Sequence, residues 1–351
     1  MDANRFTVIN CWLIQREILN KPIIHWVLII DILFCGLYLE IHQMGHYFRF
    51  PFPSSRFEMI LFFSFIIGLI RTFLQILLIF RLDWSQFWSY VRYIDLINIP
   101  EEISREKKLQ RKRSNRVLIQ FTLTLAFHLL GASSYMILKK FNIGMFLLFT
   151  FLIFGHCCLL VILNDSTACL SFTFQTINSS IERFNFIDDE RIQLDRLKTY
   201  QKNYFYAVQS TLSAECFFKD LVTFHYSRNS LDIIMLFFSI AFRVEDSVHL
   251  IIHVIWSFII LINILAITFL TTNLNSVHVN SEGALEDLYE LSFETDSVPM
   301  IDQIKSFLNR ITKANVGFTF ADLVLISPNF ITSLLTLSFT ILLGLINFVN
   351  H

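Results

Sequence analysis

Residues 330–349 read FITSLLTLSFTILLGLINFV. A helix needs about 20 mostly apolar residues to cross a lipid bilayer, so this stretch is long enough to span one. Small and polar residues interrupt it every three or four positions and therefore share one helix face: Ser333, Thr336, Thr340, Gly344 and Asn347. Such a stripe is either a seam where helices pack closely or a surface that faces water inside a pore. The stripe alone favours the seam, because small residues on membrane helices usually serve close packing.

The composition of the whole chain extends this interpretation. Of its 351 residues, 54% are hydrophobic and only 16% are charged, which predicts an all-α polytopic membrane protein rather than a soluble one. The first twenty residues lack the apolar stretch of a cleavable signal peptide, so we expect the first membrane helix to remain as an anchor. The six cysteines lie in or beside hydrophobic segments or in regions predicted to be cytoplasmic, and no disulfide framework is expected.

Seven hydrophobic segments predict seven transmembrane helices. Their ranges are 22–41, 57–80, 117–138, 143–163, 214–242, 250–271 and 330–349. The fifth is extended backwards to residue 214 because only about fourteen residues near its end are strongly apolar, too few for a span. The connection 164–228 has helical patterning with few helix breakers, so we expect spans four and five to continue as helices below the membrane.

Basic residues predict the orientation, because Lys and Arg are in excess on the cytoplasmic side. The connections that would lie on the side of the N-terminus hold 22 of the 28 basic residues, and the opposite set holds 5. We therefore expect a cytoplasmic N-terminus and an extracellular C-terminus in the plasma membrane, the reverse of a G-protein-coupled receptor. The basic run at 105–113 fits this topology and contact with anionic lipid, and nucleic acid is not an expected partner.

Three regions follow from this topology. Residues 1–271 form a six-helix transmembrane region with cytoplasmic extensions at about 164–228, residues 272–322 a cytoplasmic loop with an anchor helix, and residues 323–351 the seventh helix. In the middle region, Ile301, Ile304, Leu308 and Ile311 recur at helical spacing, which predicts an amphipathic helix. Its apolar face either packs on its own domain or contacts another subunit, and the pattern does not separate these two interpretations.

Residues suited to chemistry are few. His249 and His253 have the i, i+4 spacing of metal ligands on one helix face, but no third ligand accompanies them. His156, Cys157 and Cys158 are adjacent, so on a helix their side chains point in different directions. We therefore expect no metal site, no cofactor and no enzymatic activity.

Three ionisable residues fall inside predicted spans: Asp31, Arg71 and Asp232. A charge in the hydrocarbon region normally faces a partner or water. We favour a structural pairing of Arg71 with one of the aspartates over a role in ligand binding.

A group of aromatic and polar residues lies in the outer halves of the third, fifth and sixth spans and could line a cavity for a small molecule. Its members are Ser133, Ser134, Tyr135, Phe237, Phe238, His253 and Trp256. Contact with lipid is an equally good explanation for any one of them.

The last span closes on TILLGLINF, residues 340–348. It resembles the closing motif of the insect gustatory receptor family and the related odorant receptors, in which Thr-Tyr, five hydrophobic residues and Gln-Phe end the seventh helix. Thr340 and Phe348 match that motif, Ile341 stands in place of Tyr, and Asn347 stands in place of Gln. The pair Gly317-Phe318, which follows the amphipathic helix, is also similar to the family.

The resemblance implies a ligand-gated, nonselective cation channel, a homo- or hetero-tetramer whose seventh helices line one central pore. It implies that Asn347 and Phe348 lie at an outer gate, with Gly344 and Thr340 deeper in the pore, and that a small-molecule ligand binds in the outer cavity. It also assigns the amphipathic helix, with Ile304, Leu308 and Ile311, to a cytoplasmic anchor between subunits. With this resemblance, pore lining becomes the favoured interpretation of the polar stripe. The alternative is a seven-helix receptor or scaffold that signals through protein partners and does not conduct ions.

Overall fold

The structure is a computed structural model that describes residues 81–97, 143–184, 189–241 and 247–350, with isolated helical positions at 66–78 and 115–130. Side chains at 143–158, 235, 238–241, 247–253, 256, 345 and 348–350 lie outside this description. The described part is mostly helical. Its helices are α1 (Trp84–Asp95), α2 (Ile143–Glu182), α3 (Glu190–Ala241), α4 (Ser247–Glu282), α5 (Leu285–Leu291), α6 (Val298–Lys313) and α7 (Pro328–Asn350). Two short strands, β1 (Thr319–Phe320) and β2 (Val324–Leu325), form an antiparallel hairpin between α6 and α7.

Three of the helices are much longer than a bilayer is thick. With 40, 52 and 36 residues, α2, α3 and α4 reach about 60, 78 and 54 Å at 1.5 Å per residue, against a hydrocarbon core of about 30 Å. The expected helical continuation across the 164–228 region is confirmed as helix, with one interruption between α2 and α3. By length and composition, one stretch of the described residues, Ser257–Leu291, could cross a membrane, and a soluble protein's core helix can meet the same criterion.

Contacts between the long helices show that they run in alternating directions. Asn273 of α4 donates to Asn164 of α2, and seven residues further along both helices Asn280 donates to Ser171, so α2 and α4 are parallel. Helix α3 runs the opposite way, because the earlier part of α3 meets the later part of α4. Tyr204 Oη donates to the carbonyl of Ser281, whereas Asn263 of α4 donates to the backbone of Asn229 on α3.

Helix α7 runs in the direction of α3. Phe330 packs on Tyr226, with ring centroids 5.1 Å apart, and Phe339 packs on Phe237, with centroids 5.4 Å apart. Successive long helices α2, α3, α4 and α7 therefore alternate down and up.

The seam between α2 and α4 is polar along its length. Asn164 accepts from the Asn273 side chain at 2.9 Å, and Asn178 donates to the backbone of Asn280 at 2.8 Å. Asn164, Ser171 and Asn178 follow each other at intervals of seven, which brings them to one face of α2. Buried amides need such partners, because an unpaired one costs about 1–3 kcal/mol.

Helix α1 begins at a capped end and packs against α3. The Asp83 carboxylate accepts hydrogen bonds from the backbone and hydroxyl of Ser85, and these bonds lower the pKa of Asp83. Phe87 is buried against Phe217 and Phe218, and Ser210 donates to the carbonyl of Tyr90 at 3.0 Å. The region after the second predicted span is thereby fixed to the middle of α3.

Helix α6 is amphipathic, as the sequence predicts, and its apolar face is covered by its own chain. Ile304 and Ile311 are each 1% exposed, and Leu308 packs partly buried against the same core. Phe307 inserts beside Tyr204 of α3, and Gln303 donates to Gln201 at 2.6 Å. Of the two interpretations of this apolar face, these contacts favour packing on its own domain. The polar face of α6 is the one left open to another subunit.

The hairpin before α7 has a tight turn and is held against α3. Ala321 and Asp322 have φ values of 54° and 57°, a region that residues other than glycine seldom adopt. Gly317 precedes the hairpin, and a Cβ there would lie 2.6 Å from Leu325 Cδ1, so a larger residue would displace the flexible end of that side chain. Beside it, Phe318 is buried.

Candidate functional site

Helix α7 has two distinct faces. One packs on the rest of the chain through residues that are buried or half-buried: Ile331, Leu334, Leu335, Ser338 and Leu342. The other carries the polar stripe, and all five of its residues are exposed: Ser333, Thr336, Thr340, Gly344 and Asn347. At about 100° per residue, the centres of the two faces lie roughly 180° apart. Among the residues that the structure describes, the stripe is therefore not a packing seam.

The hydroxyl groups of the stripe are satisfied locally. Ser333, Thr336 and Thr340 donate to the backbone carbonyls four residues earlier, at 3.1, 2.8 and 2.9 Å. Each hydroxyl oxygen can still accept a further hydrogen bond. These three hydroxyl groups thus form a row of hydrogen-bond acceptors on the exposed face of α7.

Space around Gly344 is open. A Cβ built there would meet nothing within 4 Å, so close packing against the described residues does not explain this glycine. Large apolar side chains stand exposed on both sides of the stripe: Leu337, Phe339, Ile341 and Leu343. The surface is a polar row between two apolar rows, a pattern that suits contact with copies of itself on the flanks and water in the middle.

The predicted ligand residues are only partly covered by the structure. Ser133 and Tyr135 lie outside the described residues. Phe238 is on α3, and His253 and Trp256 are on α4, but their side chains are not described, and the same holds for Phe348, the predicted gate residue. The cavity therefore stays a prediction. Across the described part of the chain, no three His, Cys, Asp or Glu side chains come together as a possible metal site, and the side chains of His249 and His253 fall outside it.

Asp232 has a partner that the sequence analysis did not propose. Arg228, one helical turn earlier on α3, places its Nε 3.7 Å from Asp232 Oδ2, and both side chains are largely shielded from solvent. Arg71 and Asp31 lie outside the described residues, so the expected pairing of Arg71 remains untested. The i, i+4 spacing of Arg228 and Asp232 is a signal that could have identified this ion pair from the sequence.

A second set of buried polar groups lies nearby between α3 and α4. His225 Nε2 and the Asn229 amide nitrogen lie 2.8 Å apart, and Asn263 donates to the Asn229 backbone. The hydroxyl oxygens of Tyr226 and Thr271 lie 2.6 Å apart, at hydrogen-bond distance. Sequence reasoning did not single out these residues, because each is an ordinary polar residue until the helices are brought together.

The base of α7 rests on an aromatic cluster. Tyr226 of α3, Phe320 of β1 and Phe330 of α7 contact one another, with ring centroids between 5.1 and 6.4 Å apart. Through Tyr226 and Thr271 this cluster also reaches α4. The polar stripe is thereby built on a helix whose first turn is fixed to three other elements.

Comparisons with known proteins add no family assignment. No protein-family model matches the chain, and no curated protein matches it.

Proposed function

We propose that this chain is a subunit of a ligand-gated, nonselective cation channel in the plasma membrane, and that copies of α7 line its pore. The observation that carries the proposal is the position of the polar stripe. All five stripe residues face away from the core that the described residues form. A polar row on a membrane helix is unfavourable against lipid tails, so it calls for water or for another copy of the chain.

A ring of copies meets both needs. One helix cannot enclose water, but several copies around a symmetry axis can turn their stripes toward a common centre. The exposed Leu337, Ile341 and Leu343 beside the stripe would then pack between neighbouring copies. Four copies, identical or mixed, are what the resemblance to gustatory receptors implies.

The alternating helix directions support a chain that crosses the membrane repeatedly. Consecutive spans must run in opposite directions, and α2, α3, α4 and α7 do so. We propose the seven-span arrangement with the N-terminus in the cytoplasm and the C-terminus outside. The lower parts of α2, α3 and α4, with α6 packed on them, would form the cytoplasmic anchor.

The gate and the ligand cavity complete the proposal. Asn347 and Phe348 would stand at the outer end of α7, where a constriction could block ions by excluding water. A small molecule would bind in the outer cavity, and its proposed contacts are Ser133, Tyr135, Phe238, His253 and Trp256. Both parts rest on the resemblance and on the sequence pattern.

Cross-linking between copies tests the proposal without knowledge of the ligand. Thr340→Cys and Ser338→Cys form a matched pair, because residues 340 and 338 are on opposite faces of α7. In membranes treated with a short bifunctional thiol reagent, Thr340→Cys should give covalent dimers above the background of the unsubstituted chain. Ser338→Cys should not exceed that background. If Thr340→Cys reacts with a small thiol reagent but never joins two chains, the stripes do not face one another, and the non-conducting receptor or scaffold becomes the better account.

A further inference from the structure

The tip of the hairpin exposes apolar side chains that the proposed channel function does not use. Leu323, the last residue of the turn, is 81% exposed, and Val324, the first residue of β2, is 52% exposed. Ala321 and Asp322, the two residues before Leu323, have positive φ values. This backbone is strained for residues other than glycine, so the surrounding contacts must hold the turn in place.

Three contacts to α3 hold the hairpin. Thr319 donates to the Glu215 carboxylate at 2.7 Å, the backbone nitrogen of Ala321 donates to Thr223 Oγ1 at 3.0 Å, and Lys219 pairs with Asp322 at 2.9 Å. The three α3 residues are spaced at intervals of four, so the hairpin lies along one face of that helix over two turns. Leu323 and Val324 are therefore presented outward by a fixed support.

The same two turns of α3 receive the end of the second predicted span. Arg81, the first residue after that span, has its Nε 3.8 Å from Asp220 Oδ2. Trp84 packs on Phe217, with ring centroids 5.1 Å apart. Arginine and tryptophan at the end of a span are typical of the boundary between the lipid and the cytoplasm.

The start of α7 indicates, by a separate argument, the same depth of the hairpin relative to the membrane. Helix α7 begins at Pro328, four residues after Val324, and its 23 residues extend about 34 Å. That length covers a hydrocarbon core of about 30 Å with little to spare. The hairpin tip therefore lies close to the inner end of the span that α7 would form.

We infer that the hairpin tip, through Leu323 and Val324, inserts into the inner leaflet at the boundary between headgroups and acyl chains. The inference rests on the proposed membrane placement of α7 and of the second span. The partner is neutral lipid rather than anionic lipid, because the two cations that the described residues place beside the hairpin, Lys219 and Arg81, are paired with Asp322 and Asp220. Insertion of this kind depends on buried apolar area.

Photo-cross-linking of the full chain in vesicles of phosphatidylcholine tests this contact. A benzophenone amino acid is placed at residue 323, at Phe258 as a reference for lipid contact, and at Asn309 as a reference for the aqueous side. Phe258 is exposed on the apolar part of α4, and Asn309 is exposed on α6. We expect lipid adducts at residue 323 comparable to those at 258 and at least about tenfold above those at 309, with no further gain when phosphatidylserine is added.

The outcomes separate this inference from the proposed function. Lipid adducts at 258 but not at 323, or adducts from 323 to a second copy of the chain, would overturn the hairpin inference and leave the channel proposal standing. Lipid adducts at neither position would overturn the membrane placement and the hairpin inference together. Equal labelling at 323 and 309 would likewise show that the tip is not selectively in lipid.

Discussion

The ring of Phe330, in the first turn of α7, packs edge to face on the ring of Tyr226 in α3. The hydroxyl of Tyr226 in turn meets Thr271 of α4 at 2.6 Å. One buried tyrosine therefore connects the base of the stripe-bearing helix to two of the long helices.

Shortening Tyr226 in two steps should separate the packing of its ring from the bond of its hydroxyl. Tyr226→Ala should lower the free energy of unfolding by about 3–5 kcal/mol through the cavity it leaves. Tyr226→Phe should lower it by only about 1 kcal/mol, because Thr271 keeps its bond to the carbonyl of Ile267. Chemical or thermal unfolding in nanodiscs measures both.

An exposed tyrosine provides the control. Tyr289→Phe should change stability by less than about 0.5 kcal/mol, since this side chain is exposed. If Tyr226→Ala were as mild as this control, the aromatic cluster would not hold α7 in place.

In a double-mutant cycle, substitutions of Asn164 and Asn273 should show energetic coupling, because the two side chains share a hydrogen bond. Each alanine substitution alone leaves a buried amide without its partner and should cost about 1–3 kcal/mol. The double variant should cost less than the sum by about 0.5–3 kcal/mol. Asn164→Ala combined with Asn309→Ala, at an exposed position of α6, should instead be additive, and additivity in the first pair would deny the contact between α2 and α4.

Two glycines should respond to alanine in opposite directions. Gly317→Ala should destabilise the chain by no more than about 1 kcal/mol, because its Cβ would push aside the flexible end of the Leu325 side chain. Gly344→Ala should stabilise the isolated chain by about 1 kcal/mol through helix propensity, since the added methyl meets open space.

Comparing the two glycine variants in detergent and in the assembled state adds a test of the stripe. If Gly344→Ala destabilises the assembly although it stabilises the single chain, copies of α7 approach closely at that position. Stabilisation in both states is what a water-facing stripe predicts.

The neighbouring carboxylates of Glu182, Glu286 and Asp287 should make the stability of the folded chain depend on pH. Desolvation raises the pKa of Asp287, and the charges of Glu182 and Glu286 raise it further. An acid with a raised pKa in the folded state favours folding while it is protonated, and this contribution is lost as the pH rises through that pKa. Asp287→Asn should therefore raise the melting temperature at pH 7, and the gain should disappear as the pH falls toward the ordinary value of 3.8.

Glu182→Gln provides a second route to the same effect. Removing the charge of Glu182 should also raise the melting temperature at pH 7, because Asp287 then ionises with less repulsion. A gain that stays the same at every pH would mean that the Asp287 carboxylate is not its source.

Much of the helical framework could be predicted from hydrophobic periodicity. The amphipathic helix α6 and the shared face of the stripe both follow from spacings of three and four. Which partner covers each face could not be predicted in this way. Ile304 and the stripe residue Thr340 belong to equally regular patterns, yet the first is buried in its own chain and the second is exposed.

The polar contacts between helices could not be predicted from the sequence, for a related reason. The bond from Asn273 to Asn164 joins residues 109 positions apart, so no local pattern reports it. The pairing of Arg228 with Asp232 is local, and its spacing alone would have revealed it. Gly317 follows neither rule, because the crowding at its position arises from the side chain of Leu325 in the hairpin.

Cation current through planar bilayers tests the central claim most directly. Purified chain carrying Thr340→Cys is exposed to a membrane-impermeant, positively charged thiol reagent, with Ser338→Cys on the opposite face of α7 as the control. The pore-lining arrangement predicts that modification at residue 340 lowers the current by at least about half, through charge and bulk in the pore, and that the control current stays unchanged. A current that persists in full after mass spectrometry has confirmed modification of residue 340 would contradict it.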